Sequence, residues 1–358
     1  MQKYIFLSLF FVPIVSIQSF ELNIMRLDQK PLESFFEAQI AEDLSPFKKH
    51  GITKKMLAST MARAKKADLV HFRIRNNECT IVDAGSLGQH PRLIHFVSCM
   101  HEIAKLRRLP NIEGVISLSD SFDGRKLARV RSSPVFTLCK KRGDTKAIVL
   151  PAPLCIPEYE EIYKNRKVWH ACCPWSSKQE RVFWRGFSTG KGYADETNPR
   201  LKLVKISKNF SDIVDASFVG DIQIRDKRVQ QKIQKLYPPQ PDKDIPGHIQ
   251  YKYLTSIENG KCPRSLAWQL VSGSIVLRCD SEYIEWYDKG LIPFVHYIPY
   301  KGDYSDFFDR VLWLKNNDVQ AACIAENSGE FVEENLSNED IAAYVYRLFT
   351  EYAKLQKF

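Results

Sequence analysis

Short apolar runs bounded by turn residues and alternating with helical stretches predict an α/β protein carrying parallel strands. Three observations support this. Gly114-Val-Ile-Ser-Leu118, Pro134-Val-Phe-Thr-Leu138 and Ala147-Ile-Val-Leu150 are the length of strands, and turn residues follow them at Ser119-Asp120-Ser121 and Pro151. From Leu93 to Leu106, Leu93, Phe96, Val97, Met100, Ile103 and Ala104 recur at helical steps. The composition is that of an ordinary globular chain, 44% hydrophobic and 26% charged over 358 residues, which excludes collagen-like and disordered classes. A chain of this length forms about two domains and buries a core without disulfide or metal staples.

The elements follow in order. Lys3 precedes an apolar run, Tyr4 to Ile17, followed by Gln18-Ser19. The run is short for a bilayer span and has the form of a signal peptide, so residues 1–19 are expected to be either a cleaved leader or an uncleaved anchor. Export or membrane association follows from either. Ile52 to Ala67 and Leu93 to Leu106 are expected to be helices. Between them, alternating His71-Phe-Arg-Ile-Arg75 and β-rich Thr80-Ile-Val82 predict a hairpin. A second α/β set begins near residue 180: Arg181-Val-Phe-Trp184 as a strand, another opening at Phe218-Val219, Tyr251 to Ile257 as a third. A short helix from Arg264 to Val271 and a strand at Ser274-Ile-Val-Leu277 complete it. The tail is helical: Ser337-Asn-Glu-Asp340 makes a capping-box start, and Ile341, Val345, Leu348, Phe349, Tyr352 and Leu355 share one face. The expected division is an N-terminal α/β domain at 20–170 and a C-terminal one at 171–358 with the helical tail. A ligand cleft is expected between them.

Lys and Arg number 52 against 42 Asp and Glu, a net charge of +10, which suits an anionic partner (nucleic acid, a membrane surface or a phosphorylated ligand) or a solvated basic surface. Nine cysteines, an odd number, are scattered without a C-x-x-C pair, which excludes a zinc ribbon and a thioredoxin motif. His170-Ala-Cys172-Cys173 lacks the second ligand pair a metal site needs. Lys140-Lys-Arg142 is too short a basic cluster to mark a nucleic-acid-binding protein.

In α/β sheets the carboxyl ends of strands carry the ligand chemistry. Asp120, after the Leu118 strand, is either a general base at the mouth of a cleft or a turn-capping carboxylate. Trp184-Arg185-Gly186-Phe187-Ser188-Thr189-Gly190 gives a strand, an arginine, two glycines and two hydroxyls. That is either a backbone cradle for phosphate with Arg185 as cationic partner, or a structural turn. Near Pro263-Arg264 a helix N-terminus could hold an anion, and Ser272-Gly-Ser274 returns the chain to the next strand. His296 is either a ligand or a packed core residue. Glu285 binds ribose hydroxyls or pairs with a lysine.

Several stretches resemble the capsule-associated (family 90) glycosyltransferases, which include Rumi-type protein O-glucosyltransferases and lipopolysaccharide glycosyltransferases. They are Val182-Phe-Trp-Arg-Gly186, Val214-Asp-Ala-Ser217, Lys252-Tyr-Leu254, Ser272-Gly-Ser-Ile-Val276, Glu285-Trp-Tyr287, and Leu291 to Pro299 with Asp303-Tyr-Ser-Asp306. The resemblance implies a GT-B-like fold of two Rossmann-type domains facing across a cleft. It implies an inverting transferase moving a hexose or pentose from a UDP-sugar to a hydroxyl of a glycan, lipopolysaccharide or protein. Asp120 matches the catalytic-base position. Arg185 and Gly186 match the Arg-Gly turn, Arg200 falls near a further basic position of that motif, and Arg264 lies near the arginine aimed at the diphosphate. With Ser188, Ser272, Ser274 and Glu285 these are the expected nucleotide-sugar contacts. The scheme needs no cofactor beyond the UDP-sugar co-substrate and no metal ligands, since fixed cations can meet the leaving charge. A non-catalytic glycan or nucleotide-sugar binder of the same fold is the alternative class, and it has no need of Asp120.

Overall fold

The computed structural model describes residues 32–62, 69–88, 90–119, 134–151, 165–190, 192–258 and 265–358. Two five-stranded sheets organise it.

The first sheet has the order β2-β1-β3-β4-β6, built from β1 (Leu69–Arg75), β2 (Glu78–Asp83), β3 (Ile112–Ser117), β4 (Val135–Thr137) and β6 (Ala147–Val149). The expected hairpin is present as antiparallel β1 and β2. The sheet is mixed rather than wholly parallel: β1 runs antiparallel to β3, while β3, β4 and β6 are parallel. The tight Arg75-Asn76-Asn77-Glu78 turn, with both asparagines at positive φ, imposes the antiparallel return. Every residue of β3 is buried, as a central strand requires. Helices α1 (Ser34–Leu44), α2 (Lys54–Ala62) and α3 (Pro91–Leu106) contribute Phe36, Ile40, Leu57, Leu93, Phe96 and Met100 to the core with it. Ile52 was expected to open the second of these helices. It instead forms an isolated bridge to Gln356 and is fully buried.

The second sheet is parallel throughout, in the order β12-β10-β9-β7-β8: β7 (Gln179–Gly186), β8 (Val214–Phe218), β9 (Tyr251–Ser256), β10 (Ile275–Cys279) and β12 (Ile298–Tyr300). Phe218 closes β8 rather than opening a strand, because the polar Asp215 interrupts the apolar run that the eye picks out. Helix α4 (Pro199–Asn209), α5 (Lys227–Leu236) and α7 (Phe307–Asn316) cover one face, packing Leu201, Val204, Ile233, Phe307 and Val311 on Val182, Val214, Phe218 and Leu277. The expected helix near 264–271 is α6 (Leu266–Leu270). Helix α8 (Asp318–Asn335) then leads to the tail.

The tail helix α9 (Asn338–Leu355) starts at the expected capping box, with Ser337 and Asp340 bonding each other's backbone N–H. Although it belongs to the C-terminal half of the chain, its apolar face packs on the first sheet. Phe349 meets Phe72 and Phe136, Tyr344 donates to the Val149 carbonyl at 3.3 Å, and Tyr352 to that of Glu113 at 3.2 Å. A two-stranded link, β5 (Lys140–Lys141) with β11 (Tyr283–Ile284), joins the halves a second time. The halves in space are therefore not the two contiguous stretches of sequence. Among the described residues, no helix is long and apolar enough to cross a membrane.

Candidate functional site

Numbered from its own first strand, the second sheet has the order 2-1-3-4-5, reading from β8 to β12. In such sheets the order reverses direction between strands 1 and 3, and connections leave to opposite faces, so a crevice opens outside their carboxyl ends. Here those ends are Gly186 of β7 and Ser256 of β9.

The turn leaving β7 is shaped by its neighbours. A Cβ on Gly186 would lie 2.5 Å from the Trp184 ring, so only glycine lets the chain fold over that indole. Gly192 holds φ +86°, and its carbonyl accepts from the Asn198 N–H at 2.9 Å, closing the loop. Asn198 then caps α4, its Oδ1 accepting from Arg200 N and Leu201 N at 3.0 and 3.1 Å, with Pro199 at the first helical position. These devices fix Arg200 against the turn. Its guanidinium donates to the Phe187 carbonyl and to Thr189 Oγ1, both at 2.8 Å, and lies 5.8 Å from the Trp184 ring centroid. Its buried Nε has no partner among the described residues. Burial lowers its pKa from the ordinary arginine value.

Arg185, one residue before the glycine, points to the sheet face opposite α4. It binds Asp215 Oδ1 at 2.7 Å and the carbonyls of Trp184 and Asp215, and it stacks 4.5 Å from the centroid of Phe183. Asp215 also accepts from the Tyr251 hydroxyl at 3.0 Å. Ser188 is fully buried and accepts from Gln223 N at 2.7 Å, tying the turn to the segment after β8. Gly186, Ser188 and Arg200 are thus brought together at the turn, while the Arg185 side chain lies on the other face of the sheet.

Ser272 and Ser274 are not. They precede β10, at the amino edge of the sheet, opposite the strand ends. Their buried hydroxyls serve the fold: Ser272 donates to the Gln269 carbonyl at 2.6 Å, and Ser274 to that of Tyr251 at 2.7 Å. Lys178 Nζ donates to Ser274 at 3.1 Å. Their expected place among the nucleotide contacts is corrected on that ground. Asp120 and Arg264 lie outside the described residues. The chain is followed to Ser119, where the Leu118 carbonyl accepts from Arg92 Nη1 at 2.6 Å. His296 is a packed residue, its Nδ1 accepting from Ile292 N at 3.0 Å and its ring 5.0 Å from Phe331.

Two carboxyls stand out, Glu258 just after β9 and Glu285 just after β11. Glu258 accepts from the Ser281 hydroxyl, and burial pushes its pKa up to about 7. Burial does the same to Glu285, to about 7, against the opposing hydrogen bond from Tyr287. Neither pairs with a lysine among the described ion pairs; Arg278 nearby is held by Asp288 at 2.6 Å. Sequence reasoning missed Glu258, although it directly follows a strand ending, and it missed the Asn198-Pro199 helix start, which is a legible cap. Among the described residues, no group of three or more His, Cys, Asp or Glu could hold a metal ion.

The two raised pKa values set a pH dependence. Between about 4.5 and 7 the folded state keeps protons that the unfolded state releases, so their contribution to stability falls as pH rises through that window. A shift of one pKa unit corresponds to about 1.4 kcal/mol, and these two carboxyls contribute less because both are only half-buried. Glu285→Gln is expected to lose this slope, so that its stability relative to the unsubstituted chain improves from pH 5 to pH 8. Urea unfolding of both at the two pH values measures it, and parallel profiles would show that Glu285 is not held protonated.

A parallel sheet of this order with a capped polar turn at its reversal point defines the class of α/β proteins that take a ligand at strand ends. Residues 30–358 match glycosyl transferase family 90, and the chain belongs to that family. Protein O-glucosyltransferase 2 of Danio rerio is 27% identical over 332 residues, 89% of this chain and 62% of that protein. Protein O-glucosyltransferase 1 of Rattus norvegicus is 27% identical over 346 residues, 91% of this chain and 81% of that protein. The chain thus spans less than two thirds of the first relative and about four fifths of the second. Among solved structures, Anabaena Alr3699/HepE in complex with UDP and glucose aligns with a TM-score of 0.42 and 14% identity, over 72% of this chain and 76% of that one.

Proposed function

We propose that this chain transfers a sugar, glucose by the names of its relatives, from a UDP-sugar to a hydroxyl of a protein or glycan acceptor, inverting the anomeric carbon. The observation that carries the reading is family membership across residues 30–358, together with Arg200 fixed at the switch point of a parallel sheet. In the proposed step the acceptor oxygen attacks the anomeric carbon from the face opposite the diphosphate. The bond to the diphosphate breaks, its electron pair leaves with UDP, and the hydroxyl proton passes to Asp120 as general base. Arg200 meets the charge developing on the leaving diphosphate, with Arg264 as a second cation; Arg185, already bound to Asp215, positions the turn. A GT-B-like pairing of the two halves would bring Asp120 toward that site. The N-terminal apolar run would direct the chain into the secretory pathway or to a membrane.

The test is UDP release from a panel of UDP-sugars with folded protein domains and glycans as acceptors, alongside thermal shift by UDP. Turnover with one sugar is expected. Stabilisation by UDP with no turnover on any acceptor would favour a nucleotide-sugar binder, and no response to UDP would overturn the reading.

A further inference from the structure

Two helices on one face of the second sheet carry basic residues and no acidic ones. Helix α4 carries Arg200, Lys202, Lys205 and Lys208, and α5 carries Lys227, Arg228, Lys232 and Lys235; neither contains an Asp or Glu. The two helices lie side by side on the same sheet face, since Leu201, Val204 and Ile233 share one apolar cluster. Burying that stripe leaves Lys208 and all four cations of α5 exposed, with Lys202 and Lys205 half-buried. The carboxyl ends of the helices meet: Lys208 Nζ donates to the Leu236 carbonyl at 3.3 Å and lies 5.3 Å from the Tyr237 ring centroid. Further up, Lys205 and Lys232 share Glu196.

Large apolar side chains stand among these cations. Phe210, at the end of α4, is 44% exposed and Leu236, at the end of α5, 39%. Phe210 packs edge-on to Phe308 of α7 at 4.9 Å, and one turn along α7 Leu312 is 58% exposed, three residues before Lys315. Asp212 and Asp309 are the exposed acids beside this rim; Asp226 lies at the other end of α5, capping it.

We propose that this face, formed by the carboxyl ends of α4 and α5 with the adjoining side of α7, docks on an anionic lipid bilayer. Lysines meet the headgroup phosphates while Phe210, Leu236 and Leu312 enter the boundary between headgroups and acyl chains. Charge alone would suit nucleic acid equally. The apolar side chains interleaved with the lysines favour a bilayer, because a phosphate backbone gives Leu236 and Leu312 nothing to bury against. The face lies about 15 Å along α4 from Arg200, at 1.5 Å per residue, so docking leaves the strand-end site unobstructed. The inference does not depend on the proposed reaction.

The experiment is co-sedimentation of the full chain with two vesicle preparations: phosphatidylcholine alone, and phosphatidylcholine with about one third phosphatidylserine. Any binding through the N-terminal apolar run is common to both, so the ratio of the two partition coefficients is the readout. Strong preference for the anionic vesicles, falling with added salt, is expected. Lys208→Glu, Lys232→Glu and Lys235→Glu combined should lower the anionic partition coefficient more than tenfold, and Phe210→Ser with Leu236→Ser should lower it severalfold without altering its salt dependence. Both variants should keep the thermal midpoint and the UDP response of the unsubstituted chain. Equal partition onto the two vesicles, or variants that bind like the unsubstituted chain, would overturn the proposal. Salt-dependent capture of single- or double-stranded nucleic acid by the same lysines, with no vesicle preference, would overturn it in favour of a nucleic-acid surface.

Discussion

Asp120→Asn is expected to lower acceptor-dependent UDP release by ~10²–10⁴-fold, the usual worth of a positioned general base. The amide keeps the size and hydrogen-bonding reach of the carboxyl but cannot take the acceptor's proton. The substitution should cost little in folding, because the scaffold ahead of it is independently fixed. β3 is paired on both sides and buried along its length, and Arg92 holds the Leu118 carbonyl just beyond it. Two controls give the result its meaning. The thermal shift produced by UDP should be unchanged, since the base touches the acceptor and not the nucleotide. The pH profile of kcat/KM should also change: the unsubstituted chain loses activity on the acid side as its base protonates, whereas the residual activity of the variant should lack that limb. A variant retaining more than a tenth of the activity, with the acid limb intact, would remove Asp120 from the mechanism.

Much of the scaffold beneath this prediction is legible because its signals are local. Ser337 and Asp340 announce the tail helix through a reciprocal pair three residues apart, and the β1–β2 hairpin is written in alternation around two asparagines. What stays hidden is non-local. The apolar stripe of α9 shows that the tail is buried somewhere, but not that Phe349 and Tyr352 cross back to the first sheet. Arg185 reads as a free cation at a strand end until β8 is laid beside β7, which brings Asp215 alongside it. Burial of Glu258 depends on Ser281 and Tyr283, which return to it from beyond the next strand. The error at Ser272 and Ser274 is of another kind. The Ser-Gly-Ser turn has suitable chemistry, but it precedes β10, and in a parallel sheet residues before a strand lie at the edge away from the ligand. Chain direction alone carries that correction.

Arg200→Ala is the second large expected effect, a loss of ~10²–10³-fold in turnover, as for removal of one preorganised donor to a charged transition state. Two roles compete for this side chain. Its bonds to the Phe187 carbonyl and Thr189 Oγ1 make it a brace for the β7 turn, and a brace alone would explain its position. The Nε, without a partner among the described residues, and the capped helix start beneath it are what a diphosphate would use in addition. Turnover cannot separate these roles, because a collapsed turn also stops the reaction. Relative affinity for UDP and uridine can. If Arg200 meets the diphosphate, Arg200→Ala should weaken UDP by roughly tenfold or more, as for loss of a charge-assisted bond, while leaving uridine nearly untouched. If it only braces the turn, both ligands should weaken together. Arg200→Lys sharpens the distinction: a point charge retains part of the attraction for phosphate but cannot span Phe187 and Thr189 with a rigid fork. A lysine variant that keeps UDP preference while losing thermal stability would assign both roles to the same guanidinium.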